Sequence, residues 1–461
     1  VFDMNVSHFR SVLTSAVLAS ALVACGGGEA EKEKFDGDRI SVLNFETTLR
    51  EDPRLRDQAV RIVPAFRNST WNNAGGFATN AAYHLELDGF TKAFQTEMVR
   101  GNQGLTVLKA PPVVADGKAF ALGTDLNVVA VDAKTGEPLW SQSVLAEFTE
   151  RNFSLSRFFS SKEKPADVRD GFGGGVAYAA GRVFVTTGFG EVLSLNASTG
   201  EIIWRVQNLV PFSNAPTYSN GRLYVASQDS RLQAFNAGDG TRLWEHLAIN
   251  EAATIVGASS VAVNEQIVVA GFNSGEVVGL SPVNGQEAWS ETLTSRATQI
   301  TPLSQLNAIV GRPVIDRDRV YVTSHGGRTA AIDLRSGERV WTADVGSIET
   351  PWAMGDYVLV MSLDGELVSL SRDQGRVRWI AKLPIYKNQE KRRGRIRWAG
   401  PVLGSSEVIL ASSDGRLVRV DPTNGEISSF VDIEEPVSMP PIIADGVLYV
   451  LSDEGSLIAL K

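Results

Sequence analysis

The sequence has one cysteine in 461 residues, Cys25. A single thiol excludes an internal disulfide, a thiolate zinc site and a covalently attached c-type haem. Histidine is nearly as scarce: His8, His84, His246 and His325 are far apart, with no spacing that would hold a metal on one helix face. Basic charge is in deficit, with 44 Lys and Arg against 53 Asp and Glu, a formal net charge of −9. That balance argues against a nucleic-acid surface, which needs clustered cations to neutralise phosphates. Long apolar runs are missing as well. The one apolar stretch, residues 11–24, is too short to span a bilayer stably.

That stretch follows Arg10, is rich in small residues and ends in Leu22-Val23-Ala24-Cys25. A charged start, a short apolar core and small residues before a cut form a secretory signal, with Met4 as its expected start. The last four residues resemble the bacterial lipobox, in which the cysteine is acylated and becomes the first mature residue. Residues 1–24 therefore read as a lipoprotein signal peptide and Cys25 as the lipidation site. Gly26 stands where an Asp would imply inner-membrane retention under the enterobacterial sorting rule, so the expected location is the periplasmic face of the outer membrane. Residues 25–60 read as a lipidated, flexible tether. Their opening, GGGEAEKEKFDGD, is too polar and charged to bury a core of its own.

What the sequence has in plenty is glycine, 43 residues set at regular intervals. From about residue 105 a pattern recurs with a period of roughly 45 residues. Its first half is two apolar runs around a polar turn. The eight copies are GKAFALGTDLNVVAV, GRVFVTTGFGEVLSL, GRLYVASQDSRLQAF, EQIVVAGFNSGEVVGL, DRVYVTSHGGRTAAI, DYVLVMSLDGELVSL, SEVILASSDGRLVRV and GVLYVLSDEGSLIAL. These are hairpins. Its second half is a turn that leads into a tryptophan, as in DAKTGEPLW and NASTGEIIW. The turn glycine supplies positive φ, and the Asp, Asn or Ser four residues earlier bonds the turn backbone. The tryptophans that follow are Trp140, Trp204, Trp244, Trp289, Trp341 and Trp379; the seventh copy has Ser429 there and Phe430 next to it.

Four strands per repeat predict an all-β fold: an eight-bladed β-propeller of four-stranded antiparallel blades over residues 61–461. The tryptophans read as structural wedges between neighbouring blades. The eighth strand pair runs into Lys461 with no turn of its own, so an N-terminal strand is expected to close the ring. The segment NSTWNNAGG around Trp71 is the candidate for that strand, with Trp71 as its blade-docking residue.

The motif apolar-x-A-x-D-x-x-T-G-x-x-x-W resembles the PQQ-type propeller repeat. Lipobox, tether and eight such blades together resemble the BamB family, the propeller lipoproteins of the outer-membrane β-barrel assembly (BAM) machinery. Stretches such as RIVPAFRNSTWNNAGG and RIRWAGPVLG resemble its alphaproteobacterial branch. The resemblance implies a non-catalytic scaffold without cofactor or metal, monomeric within a hetero-oligomeric complex. It would bind the POTRA domains of BamA alongside the other BAM subunits and assist folding and insertion of outer-membrane proteins. Contacts in the family map to loops joining the third, fourth and fifth blades, here residues 246–259 and 294–312. Enterobacterial members carry LSLRG-like and LSDVD-like stretches there; this chain has ATIVG at 253–257 and LSQLN at 303–307. The Arg and both Asp are absent, so the surface is expected in the same place with altered chemistry. Its candidate residues are Thr254, Ile255, Val256, Gln305, Asn307 and Arg312.

The rival reading is a PQQ- and Ca²⁺-dependent quinoprotein dehydrogenase, which uses the same repeat. Fold does not separate the two; the site does. The chain lacks the adjacent-cysteine disulfide and haem module that many such enzymes carry, and it offers no convincing Glu/Asn/Asp set for Ca²⁺. A lipoprotein sensor or adhesion module is a third class. Two insertions interrupt the repeat. Residues 145–170, with Phe148, Phe153, Phe158 and Phe159, read as a short helix over the propeller or as a partner-binding lid. Residues 387–397 hold Lys387, Lys391, Arg392, Arg393, Arg395 and Arg397. They read as a solvated loop or as a dock for an acidic domain or lipid phosphates.

Overall fold

The computed structural model describes residues 49–461, apart from 57, 105, 146–172, 213, 250–258 and 294–306. Eight four-stranded antiparallel sheets form the eight blades of a propeller, numbered here in chain order. The one helical element among the described residues is a 3-10 turn, Pro53–Leu55. Blade 1 spans residues 113–143, with its strands in sequence order from the axis outward. Blades 2 to 7 repeat that plan, at residues 174–207, 217–247, 262–292, 314–343, 352–382 and 398–432.

Burial follows the radius. Strands next to the axis, such as Val113–Ala115 and Ile442–Ala444, are short and wholly buried. Outermost strands such as Pro138–Ser143 alternate between exposed and half-buried positions. The middle strands meet a neighbouring blade on each face, so they read as continuous apolar runs without clear alternation.

The turn before each outer strand is built as its sequence implies. The Asp132 carboxylate accepts from the backbone N–H of Lys134 (2.8 Å) and Thr135 (2.9 Å), while Gly136 N–H donates to Asp132 O (2.9 Å). Those two amides hold the Asp132 carboxyl below the usual carboxylate range. Each turn glycine also lies under the aromatic ring of the preceding blade. A methyl at Gly200 would sit 2.7 Å from Trp140. Above it the indole N–H of Trp140 donates to Ala197 O of blade 2 at 3.0 Å.

The same bond recurs around the ring. Trp204 donates to Ala237 O, Trp244 to Pro282 O, Trp289 to Leu334 O, Trp341 to Arg372 O and Trp379 to Pro422 O. Each tryptophan is paired across its own blade with a small residue: Ala130, Ser194, Ala234, Gly279, Ala331 or Ser369. The small partner leaves room for the ring to turn toward the next blade.

An N-terminal strand closes the ring, but it is not the segment around Trp71. Strand Lys92–Glu97 pairs antiparallel with Ser456–Leu460 and completes blade 8. Phe94 pairs with the small Ala459, in the tryptophan's register, and covers Gly136 of blade 1. The hydroxyl of Tyr449 donates to Ala133 O (2.8 Å), the position that accepts an indole N–H in the other turns.

Trp71 and its neighbours do something the sequence did not suggest. Residues 68–88 make one circuit of the axis and bond every blade in turn. Asn68 O accepts from Asp445 N–H of blade 8 (2.7 Å), and Trp71 N–H donates to Val114 O of blade 1 (2.7 Å). Asn72 O accepts from Tyr178 N–H (2.8 Å), and the Asn73 side-chain oxygen from Tyr218 N–H (2.8 Å). Ala78 O and Thr79 O accept from Val263 and Ile315 N–H. Tyr83 O accepts from the Trp352 indole (2.7 Å), and Leu85 exchanges backbone bonds with Leu403 and Ser405. Asp88 N–H then returns to Gly446 O of blade 8 (2.9 Å).

The axial strand of each blade is a sheet edge with unpaired backbone groups, and this circuit is what pairs them. Its alanines and glycines, in NNAGGFATNAA, let a chain turn in so narrow a space. Trp71 is therefore a buried hub residue, not a wedge between blades: its ring packs on Gly76, and its indole N–H has no partner among the described residues.

The body also begins earlier than the tether's expected end at residue 60. Leu55 is buried, and Asp52 pairs with Arg54 (2.7 Å) and with Arg376 of blade 6 (3.3 Å).

Candidate partner-docking face and axial cavity

The hub lies beside the far ends of the axial strands. The described residues that precede those strands surround the other end of the axis. The two family contact loops are outer-to-inner connections, joining blades 3 to 4 and 4 to 5. Cys25, Thr254, Ile255, Val256 and Gln305 lie outside the described residues, as does nearly all of the Phe-rich insertion. Asn307 is described and packs against Gly275, in the central turn of blade 4.

Apolar side chains stand exposed at the base of this face. Leu247 ends the outer strand of blade 3, and Ile249 begins the loop after it, at 59% and 62% exposure. Leu209, on the connection from blade 2 to blade 3, is 99% exposed. Ile249 is held by its backbone, whose N–H donates to Glu276 (3.0 Å), so the side chain is presented and not merely loose. Leu247 and Ile249, two positions apart, are the candidates for an apolar contact at the start of the first loop.

Arg312 points elsewhere. Two residues ahead of axial strand Val314–Asp316, it lines a cavity of about 330 Å³ on the propeller axis. Ala74 of the hub is also in that wall, with Lys109, Glu349 and Arg397. The Arg312 backbone N–H donates to Thr350 Oγ1 (3.2 Å), and its guanidinium makes a longer bond to the same oxygen (3.4 Å). No carboxylate among the described residues lies in ion-pair contact with it. Both Arg312 and Glu349 line this cavity and are half-buried.

Burial pushes the Glu349 carboxyl up to about 7, against the opposing pull of the Gly400 N–H (3.2 Å) and the Arg312 charge. Burial likewise lowers Arg312 to about 10, and lowers the Lys109 ammonium. This donor set does not suit a quinone–Ca²⁺ centre. Calcium takes six to eight oxygen ligands. The cavity offers one carboxylate among three cations, and no cluster of metal-holding side chains occurs among the described residues.

Comparison with known proteins decides the family. The profile described as outer membrane protein assembly factor BamB matches residues 91–170 and 154–381, more than half of the chain. The chain belongs to the BamB family. The BamB of Yersinia pestis is 25% identical over 341 residues, covering 74% of this chain and 81% of that protein. Among solved structures, BamB from Moraxella catarrhalis superposes with a TM-score of 0.65 at 16% identity, over 81% of this chain and 99% of that one. The quinohemoprotein alcohol dehydrogenase of Comamonas testosteroni shares the fold alone, with a TM-score of 0.58 at 15% identity over 84% and 77%. The family is thus that of an assembly factor, and the dehydrogenases are its relatives in architecture only.

Proposed function

We propose that this chain is a non-catalytic scaffold lipoprotein of the outer-membrane β-barrel assembly complex. It binds the POTRA domains of the barrel-forming subunit and assists folding and insertion of outer-membrane proteins. Acylated Cys25 holds it at the periplasmic face of the outer membrane. The observation that carries this reading is the family match across blades 1 to 6, which include both contact loops. Exposed Leu247 and Ile249 support the first loop as the apolar part of the contact. Without the Arg and Asp of enterobacterial members, docking relies on buried apolar area more than on ion pairs.

The decisive experiment is affinity capture of the tagged chain from detergent-solubilised membranes. The barrel-forming subunit is expected to copurify, with recovery reduced by Leu247→Glu together with Ile249→Glu. Wild-type chain recovered without that subunit would overturn the reading. Cys25→Ala is expected to move the protein out of the membrane fraction.

A further inference from the structure

The basic insertion folds as a hairpin, strands Tyr386–Asn388 and Arg393–Arg395, between the outer strand of blade 6 and the axial strand of blade 7. Its base is fixed: Ile396 is buried, its N–H donates to Ile385 O (2.9 Å), and the Trp398 indole donates to Pro384 O (2.9 Å). Its tip is ordered by Lys391 N–H donating to the Asn388 side chain (2.8 Å). It carries five cations, Lys387 to Arg395, against one acid, Glu390, and a sixth, Arg397, follows it at the wall of the axial cavity; all six are exposed.

None of the six makes an ion pair among the described residues. The acid whose field reaches Lys387, Asp414, is already bound to Arg416 (2.6 Å). A chain with nine excess negative charges has thus gathered unpaired positive charge on one rigid projection. At physiological salt the screening length is about 8 Å, so the local cations, not the distant acids, set the field an approaching surface meets.

The entry of the chain indicates what that surface is. Asp52 N–H donates to Val377 O (2.8 Å), and Ile380 N–H donates to the Glu51 carboxylate (3.4 Å). Residues 51 and 52 therefore lie along strand Val377–Lys382, the strand that leads into the hairpin. The residues between Cys25 and Leu49 span at most about 80 Å when fully extended.

We infer that the hairpin binds the phosphates of anionic phospholipid headgroups and fixes which edge of the propeller faces the bilayer. The choice of lipid over an acidic protein rests on the proposed anchor at Cys25: the described chain enters the body on the strand that runs into this hairpin. Acyl chains and a basic patch are two additive membrane signals.

The test uses unacylated chain from Gly26 onward, which keeps the whole described body, in flotation with vesicles. It should float with phosphatidylglycerol–phosphatidylethanolamine vesicles at low salt, be released at high salt, and ignore pure phosphatidylcholine. Arg392→Glu, Arg393→Glu and Arg395→Glu together should weaken flotation at least about tenfold. The same three positions changed to Lys should retain it, with all variants melting alike. No flotation of the parent chain, or undiminished flotation of the Glu variant, would overturn the inference. Because this protein carries no acyl group, its result is independent of the Cys25→Ala fractionation, and the two readings fail separately.

Discussion

From blade 1 to blade 7 each junction is closed by an indole that lies on the next blade's turn glycine and bonds its backbone. At the two junctions of blade 8 it is not. Blade 8 takes its outer strand from Lys92–Glu97, so its third and outer strands are not consecutive in the chain and no Asp-to-Gly turn joins them for blade 7 to meet. There Ser429 replaces the tryptophan, and its cross-strand partner is Arg419 in place of a small residue. Arg419 stacks over Phe90, 4.2 Å from the ring centre. On the other side blade 8 does meet a turn, that of blade 1, and the wedge returns in divided form. Phe94 supplies the ring, and Tyr449 supplies the hydrogen bond. A cavity of about 300 Å³ lined by Phe94, Tyr449 and Ala133 remains at that junction. The wedge thus follows the turn it covers, not the repeat number.

The comparison breaks most visibly at a full wedge. Trp379→Ala, at a side chain only 2% exposed, should cost about 3–5 kcal/mol by urea denaturation with unchanged m. Phe94→Ala at the junction of blades 8 and 1, where the ring is only half-buried, should cost clearly less. Equal losses would mean the indoles are not what distinguishes the junctions. Next in size, Ser429→Trp should destabilise by roughly 1–3 kcal/mol, because it is overpacking against Arg419. A stabilised variant would show that the missing tryptophan is a defect and not a match to blade 8.

Tyr449→Phe removes one buried hydrogen bond and leaves Ala133 O unpaired, about 1–3 kcal/mol. Phe94→Trp added to it should recover most of the loss by restoring a whole wedge in the junction cavity, which a double-mutant cycle would read. The pH-dependent test lies on the axis, away from both kinds of junction. The Glu349 carboxyl sits at about 7 when folded, above its ordinary 4.5. Its contribution is therefore complete below pH 4.5 and lost as pH rises through 7. Wild type should lose stability relative to Glu349→Gln over that window, while junction variants shift in parallel at every pH.

How much of this could be read beforehand depends on whether a feature repeats. The hairpins and the Asp-to-Gly turns recur with one spacing, so blade number and wedge positions were legible. The closing strand, KAFQTE, occurs once and carries phenylalanine where the pattern has tryptophan. The tryptophan of NSTWNNAGG matches the repeat pattern better than KAFQTE does, although it belongs to the hub. The hub left no side-chain pattern because its partners are backbone groups from eight distant strands. Its only trace was a local richness in Asn, Ala and Gly. Arg312 was assigned to the rim with the rest of its loop, although lying two residues ahead of an axial strand placed it by the axis. Residues 51 and 52 looked like tether because their contacts are with side chains and backbone more than three hundred positions away.

The circuit around the axis has a consequence for how the molecule is made. Asn68 bonds Ile443 across 375 positions, and Arg67 reaches Asp445 across 378. Residues 68–88 are among the first to leave a ribosome or a translocation channel, yet their eight partners exist together only after the last blade has arrived. The segment synthesised early is necessarily seated late, and closing so long a loop is slow. Until then the inner edges of all finished blades stay open to wrong pairing, and the circuit works as the molecule's own proof that every blade is present.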